Sequence, residues 1–261
     1  YHHQEAEIMF DRKKYKSFAR IQLKKRRTVP VFMILISTLV VLLLSLPSIK
    51  TSIAMYSEIL QASAVSANQN ALLQIVRKYQ KSAPLDSFLN WIVFFVTAVC
   101  TIAQYCVYLK MSRTPDPVSL GDFFAGFTHW LRAIGAALWR RLWTYLWMLL
   151  FIIPGIVKVI AYSQTFFIVA EFPHVPVVQA LDISKKITQG HKGELFVLYL
   201  SFLGWALLCV LTFGIASLWV IPYQTMTCVN AYHALMKSAL ESGVVTLEDI
   251  GDVNGEHYGK K

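Results

Sequence analysis

Two stretches of this chain contain no charged residue and are each long enough to cross a lipid bilayer as a helix. They run from Val29 to Ile49 and from Phe88 to Leu109. A helix rises about 1.5 Å per residue, so ~20 residues cross ~30 Å of hydrocarbon, and both stretches meet that length. Backbone polar groups in hydrocarbon must be satisfied internally, and unbroken apolar runs of this length do so as helices. The fold class that follows is all-α, a polytopic membrane helical bundle. Composition agrees: 15% of the 261 residues are charged, against about 25% in an ordinary soluble chain.

The formal net charge is +10, but its placement argues for a membrane surface rather than nucleic acid. Nine Lys/Arg lie between Arg12 and Arg27, immediately before the first apolar run, where an anionic leaflet attracts them. The first ~28 residues are polar and basic, unlike a signal peptide. Residues 1–28 are therefore expected to form a basic amphipathic helix on the cytoplasmic surface, with Met9, Phe10, Phe18 and Ile21 on its apolar side. The four cysteines, Cys100, Cys106, Cys209 and Cys228, fall in apolar segments without a Cys-x-x-Cys pair. They read as packing residues, with no metal site and no cofactor implied.

Hydropathy and breakers divide residues 29–240 into six transmembrane helices arranged as three hairpins. Span 1 runs from Val29 to Ile49 and span 2 from Leu85 to Leu109. Residues 51–84 form an external helical insert between them. The block from Ala136 to Ala170 is too long for one helix, and Pro154-Gly155 divides it into spans 3 and 4 by an outer turn; a broken helix lining a cavity is the alternative. Span 5 covers Glu194 to Phe213, Gly214-Ile215-Ala216-Ser217 makes a second outer turn, and span 6 covers Leu218 to Leu235. Cytoplasmic in-plane helices are expected before the second and third hairpins. Asp122 and Asp182 are candidate N-terminal caps for them. Residues 241–261 read as a loose cytoplasmic tail.

Charge orients this arrangement. With both termini in the cytoplasm of a bacterial cell, 20 Lys/Arg lie inside. Five lie outside, at Lys50, Arg77, Lys78, Lys81 and Lys158. That bias obeys the positive-inside rule.

Gln104, Gln164 and Gln224 recur at an interval of 60 residues inside apolar segments. The same offset relates Asp122 to Asp182 and Arg132 to Lys192, so a repeating unit of in-plane helix and hairpin is expected. The glutamines, with Asn230 and His233, have two readings: hydrogen bonds between helices, or the lining of a polar ligand cavity. Lys185, Lys186, His191 and Lys192 gather positive charge beside the inner leaflet, either as an anionic-headgroup site or as general anchoring. Arg140 and Arg141 read as snorkelling side chains at the end of span 3.

A run of residues in the second half carries a family resemblance. It includes Ile153-Pro154-Gly155-Ile156-Val157-Lys158, Ala180-Leu181-Asp182-Ile183-Ser184-Lys185-Lys186, Gly190-His191-Lys192 and Trp219-Val220-Ile221-Pro222-Tyr223. From Leu150 onward the chain resembles an uncharacterised family of bacterial integral membrane proteins, domain of unknown function 975. That family is distantly similar to the membrane region of some glycerophosphodiester phosphodiesterases. The resemblance implies a six-helix membrane fold and carries no activity, substrate or catalytic residue.

Reactive groups are sparse. There is no His-Glu-x-x-His and no phosphate-binding Gly-x-x-x-x-Gly-Lys frame. The expected function is therefore non-enzymatic binding or transport of a small or lipidic ligand. The alternatives are an accessory subunit that docks proteins or remodels the bilayer, and a membrane-embedded lipid enzyme. The expected partners are anionic membrane lipids at the inner leaflet, with no nucleic acid.

Overall fold

A computed structural model of the chain describes residues 10–65, 69–80, 83–150, 152–251 and 258. Every regular element among them is helical. Three helical stretches, Thr28–Ser63, Asp86–Arg113 and Lys192–Leu211, are long and apolar enough to cross a membrane. The chain divides into two compact units, residues 35–98 and residues 1–34 with 99–261.

The smaller unit is built from α2 (Thr28–Val65), α3 (Gln69–Gln80) and the first half of α4 (Ala83–Arg113). The expected external insert is not separate from span 1, because α2 continues through Pro47 to Val65. A proline inside a helix removes one ladder bond. Hydroxyls on either side of it bond back one turn, Ser45 to the Val41 carbonyl and Thr51 to the Pro47 carbonyl. Ser48 donates to Asp86 at 3.3 Å, and Glu58 accepts from Lys78 at 2.5 Å and from the Tyr79 hydroxyl at 3.0 Å. These bonds tie α2 to both of its neighbours.

The larger unit begins with α1 (Arg12–Leu23), capped by Asp11, whose carboxylate accepts from the Lys13 and Lys14 N–H groups. Tyr15, Ala19 and Leu23 recur every four residues and are buried, while Phe18 and Ile21 are exposed. The helix thus has two apolar sides. Phe18 and Ile21 form the outward one, as expected, but the other is docked on α12 (Ser217–Glu241). Ile8 and Met9 lie outside the described residues. Ser119 opens α5 (Leu120–Ala125) with a capping box closed by Asp122. A 3-10 turn, Gly126–His129, leads into α6 (Trp130–Leu150), which starts earlier than the expected span 3. Gly126 allows that turn to lie against α4: a Cβ there would stand 2.6 Å from the Ala103 Cα.

The return leg, α7 (Ile152–Ala161), corrects the position of the outer turn. The chain reverses between α6 and α7, and Pro154 and Gly155 belong to the first turn of α7. Proline is tolerated there because early helical N–H groups have no partner within the helix. Gly155 lets the two legs approach, since a Cβ would meet Met148 Cγ at 2.6 Å. A break over Tyr162–Gln164 separates α7 from α8 (Thr165–Glu171).

Asp182 is not a cap. It lies in the middle of α9 (Val177–Ile187), exposed, and pairs one turn on with Lys186 at 3.3 Å. The segment expected as span 5 is two helices, α10 (Lys192–Leu200) and α11 (Leu203–Leu211), broken at Ser201–Phe202. Phe213 and Gly214, both with positive φ, make the expected short turn into α12. The tail after Glu241 is not loose through residue 251. Val245 and Ile250 are buried, Gln179 donates to the Asp249 carbonyl at 2.8 Å, and a His174 ring nitrogen meets the Ile250 carbonyl at 2.8 Å.

Candidate functional site

The break between α7 and α8 leaves polar groups in an apolar setting. Gln164 is buried there, and its amide nitrogen donates to Ser163 Oγ at 2.7 Å and to the Tyr199 hydroxyl at 3.4 Å. The Gln164 amide oxygen and the Thr165 hydroxyl are buried, with no hydrogen-bond partner among the described residues. Groups left in this state are destabilising unless water or a ligand reaches them.

Beside this break is an open cavity of about 500 Å³. Arg140, Ser163 and Tyr199 supply its polar lining, and Met148, Ile156, Val159, Ile160 and Phe196 supply the rest. Arg140 comes from α6, with its guanidinium 4.7 Å from the centre of the Phe166 ring. Among the described residues no carboxylate pairs with it. A guanidinium in such a setting is costly without an anion, and its planar fork accepts phosphate or carboxylate oxygens two at a time. The cavity volume lies within the usual range for small-molecule sites. One cationic end and an apolar body together suit an anionic amphiphile.

A smaller cavity, about 210 Å³, lies where α1 meets α11 and α12, with Arg20, Arg27, Trp205, Trp219 and Tyr223 in its lining. Arg20 sits 5.6 Å from the Tyr223 ring centre, and Lys16 sits 4.6 Å from that of Phe202.

Elsewhere, polar groups hold helix ends together. Arg113 at the end of α4 pairs with Glu171 at the end of α8, and the Tyr232 hydroxyl of α12 donates to the same carboxylate. His233 lies between Ser112 Oγ at 2.8 Å and the Tyr258 hydroxyl at 2.9 Å. Ser112 also donates to the Leu109 carbonyl at 2.7 Å. With its one proton committed there, Ser112 accepts from the His233 ring, and Tyr258 donates to the other ring nitrogen. This set is satisfied without giving Ser112 a general base, so it reads as a fastening and not as an activated nucleophile.

The residues singled out from the sequence fall in different places. Gln164 stands behind the larger cavity. Gln104 and Gln224 are half-buried within the unbroken helices α4 and α12, and the bonds of Gln164 reach neither. Asn230 fastens α1, donating to the Tyr15 carbonyl at 3.3 Å and to Gln22 Oε1 at 2.9 Å. His233 belongs to the helix-end set.

His191 meets Glu194 at 2.7 Å and stacks on Phe10, while Lys186 is taken up by Asp182. Asp122 accepts from Lys110 at 2.6 Å and from the Ser119 N–H at 2.8 Å. The Lys110 ammonium first, and then that N–H, holds its carboxyl below the usual range.

Arg140, Ser163 and Tyr199 were not singled out as ligand-binding residues. The unusual Tyr162-Ser163-Gln164 run inside an apolar block was the available signal for part of the site. Tyr199 carries none, because a tyrosine among apolar residues is ordinary.

The fold and this geometry define an all-helical protein with the make-up of a membrane protein and a cation-lipped apolar cavity. Residues 145–239 match the model of a family described as a protein of unknown function (DUF975). The match takes in Ser163, Gln164 and Tyr199 but not Arg140, and it brings no phosphodiesterase relative with it. No curated protein and no solved structure matches the chain.

Proposed function

We propose that the protein is a multi-pass protein of the bacterial cytoplasmic membrane that binds an anionic amphiphile without chemically altering it. Its termini lie on the cytoplasmic side, in keeping with the bias of Lys and Arg along the chain. The charged group of the ligand is held by Arg140 with Ser163 and Tyr199, and its apolar part runs along Met148, Ile156 and Phe196. The observation that carries this reading is the half-buried Arg140, which has no carboxylate partner among the described residues and lies at the edge of a largely apolar cavity. Lys185 and Lys192 add positive charge that draws anionic lipid toward the protein.

The test uses purified full-length protein in neutral detergent, titrated with phosphatidylglycerol or with phosphatidylcholine of the same acyl chains. Phosphatidylglycerol is expected to raise the thermal midpoint further than phosphatidylcholine. Arg140→Gln removes that difference, while Lys185→Gln keeps most of it. An Arg140→Gln protein with the wild-type preference refutes the site.

The docking role finds one support in α11, none of whose residues is buried. A partner that copurifies at fixed stoichiometry and is lost on substituting α11 residues would favour that role.

A further inference from the structure

Nine Lys/Arg lie between Arg12 and Arg27, and Lys16, Arg20 and Lys24 follow one another about a turn apart, so α1 has no charge-free length. Such a helix is strongly disfavoured in hydrocarbon and stays at the membrane surface from end to end. Its level there is fixed by α4. Arg26 donates to the Met111 and Thr114 carbonyls at 3.2 and 3.0 Å, and Gln22 donates to the Ser112 carbonyl at 3.3 Å. Lys110 and Arg113 close α4 at this level, and α2 starts from it at Thr28.

The last helix, α12, packs along α1. Asn230 donates to the Tyr15 carbonyl at 3.3 Å, Arg20 sits 5.6 Å from the Tyr223 ring centre, and Leu218 and Trp219 line one cavity with Arg27 and Val31. Farther along α12, His233 meets Ser112 Oγ at 2.8 Å at the end of α4. Leu218 and His233 are ~22 Å apart along the helix, yet one lies beside the start of α2 and the other beside the end of α4. A crossing α12 would put Leu218 at the far surface, ~30 Å away, and drag Arg20 and Arg27 into the hydrocarbon. The incoming leg meets the same obstacle. Phe10 stacks on His191 at 6.3 Å, the Lys16 ammonium stands 4.6 Å from the Phe202 ring centre, and Trp205 shares the cavity with Arg20 and Arg27. In a span starting at Lys192, Phe202 would lie ~15 Å deep with that ammonium against its ring.

The surface left open on this layer is apolar: Leu203 and Leu207 of α11 are 64% and 61% exposed, and Phe213 in the following turn is 98% exposed. Trp205 and Trp219, exposed beside the two arginines, are residues that favour the interface. We infer that α10, α11 and α12 lie with α1 in the plane of the cytoplasmic leaflet, the exposed side chains of α11 and the Phe213 turn among its upper acyl chains and the α1 cations on its anionic headgroups. The third hairpin is then a lipid-binding surface and not a pair of spans. Lying in one leaflet and crossing out and back both return the chain to the same side, so the sidedness of the termini is unchanged. The inference rests on the membrane placement proposed above and not on the ligand reading.

The test uses the full chain, with the four native cysteines replaced by alanine, in sealed vesicles of phosphatidylglycerol and phosphatidylcholine. A bimane label on Leu203→Cys, which is mid-membrane in a crossing leg, is expected to be quenched more by a doxyl group at acyl carbon 5 than at carbon 12. Stronger quenching at carbon 12 overturns the inference. Quenching at neither position means that protein covers α11, and overturns it too. Ile215→Cys, in the turn, is expected to stay unreacted with an impermeant maleimide applied opposite to the side from which Lys237→Cys reacts, and reaction there overturns the inference. Leu203→Lys in the native-cysteine protein gives a second reading should the alanine background not fold. Near wild-type yield of folded membrane protein is expected at a surface position; a loss of roughly tenfold or more, as for a lysine at mid-span, overturns it. Absence of the wild-type protein from the membrane fraction would instead refute the membrane placement itself.

Discussion

The pairing of Arg113 with Glu171 makes an asymmetric prediction. The Glu171 side chain is 0% exposed and that of Arg113 is 29% exposed. Removing one partner of a buried pair costs about 3–5 kcal/mol, chiefly because it strands the other charge. Arg113→Gln strands Glu171, whose remaining partner is the Tyr232 hydroxyl, so ~3–5 kcal/mol is expected. Glu171→Gln strands a cation that still meets solvent and the Tyr258 ring, at 5.7 Å. The new amide also still accepts from Tyr232, which lowers the expected loss to ~1–3 kcal/mol. The double variant leaves no charge to strand, so its loss falls below the sum of the singles by ~2 kcal/mol or more. Unfolding by dodecyl sulfate in mixed micelles, followed by helical circular dichroism, measures all four proteins. Equal losses for the two singles, or additivity in the double, would refute the argument that stranding the charge sets the cost.

Three further substitutions probe how the helices are held. Gly126→Val pushes a side chain into the Ala103 backbone and should cost about 1–3 kcal/mol in the same unfolding assay; a neutral result would mean that the 3-10 turn does not lie against α4. Asn230→Ala removes both bonds to α1 and should cost ~1–2 kcal/mol. It should also speed tryptic cleavage around Lys24–Arg27, and wild-type cleavage would show that α1 is held by its apolar side alone. Asp122 is a carboxyl held below its usual range by Lys110 and Ser119, so its contribution is full at neutral pH and is lost as pH falls through the folded-state value. The wild-type thermal midpoint should therefore drop more steeply below pH ~4 than that of Asp122→Asn; parallel curves would show that the cap adds nothing.

How much of this was legible in the sequence depended on whether the deciding contact was local. The charge-free run from Val29 and the turn at Phe213–Gly214 were readable because length and backbone freedom act within a few residues. Asp122 was readable as part of a helix start for the same reason, although Ser119 holds the cap position and Asp122 closes the box. Pro154-Gly155 misled because it is turn chemistry in isolation; only the approach of Met148 gives Gly155 its role, and that contact belongs to the folded hairpin. Asp182 misled similarly, since an acid before two lysines suits a helix start and an i,i+4 pair equally well. The two apolar sides of α1 were hidden because a docked face and a lipid-facing one use the same residue types.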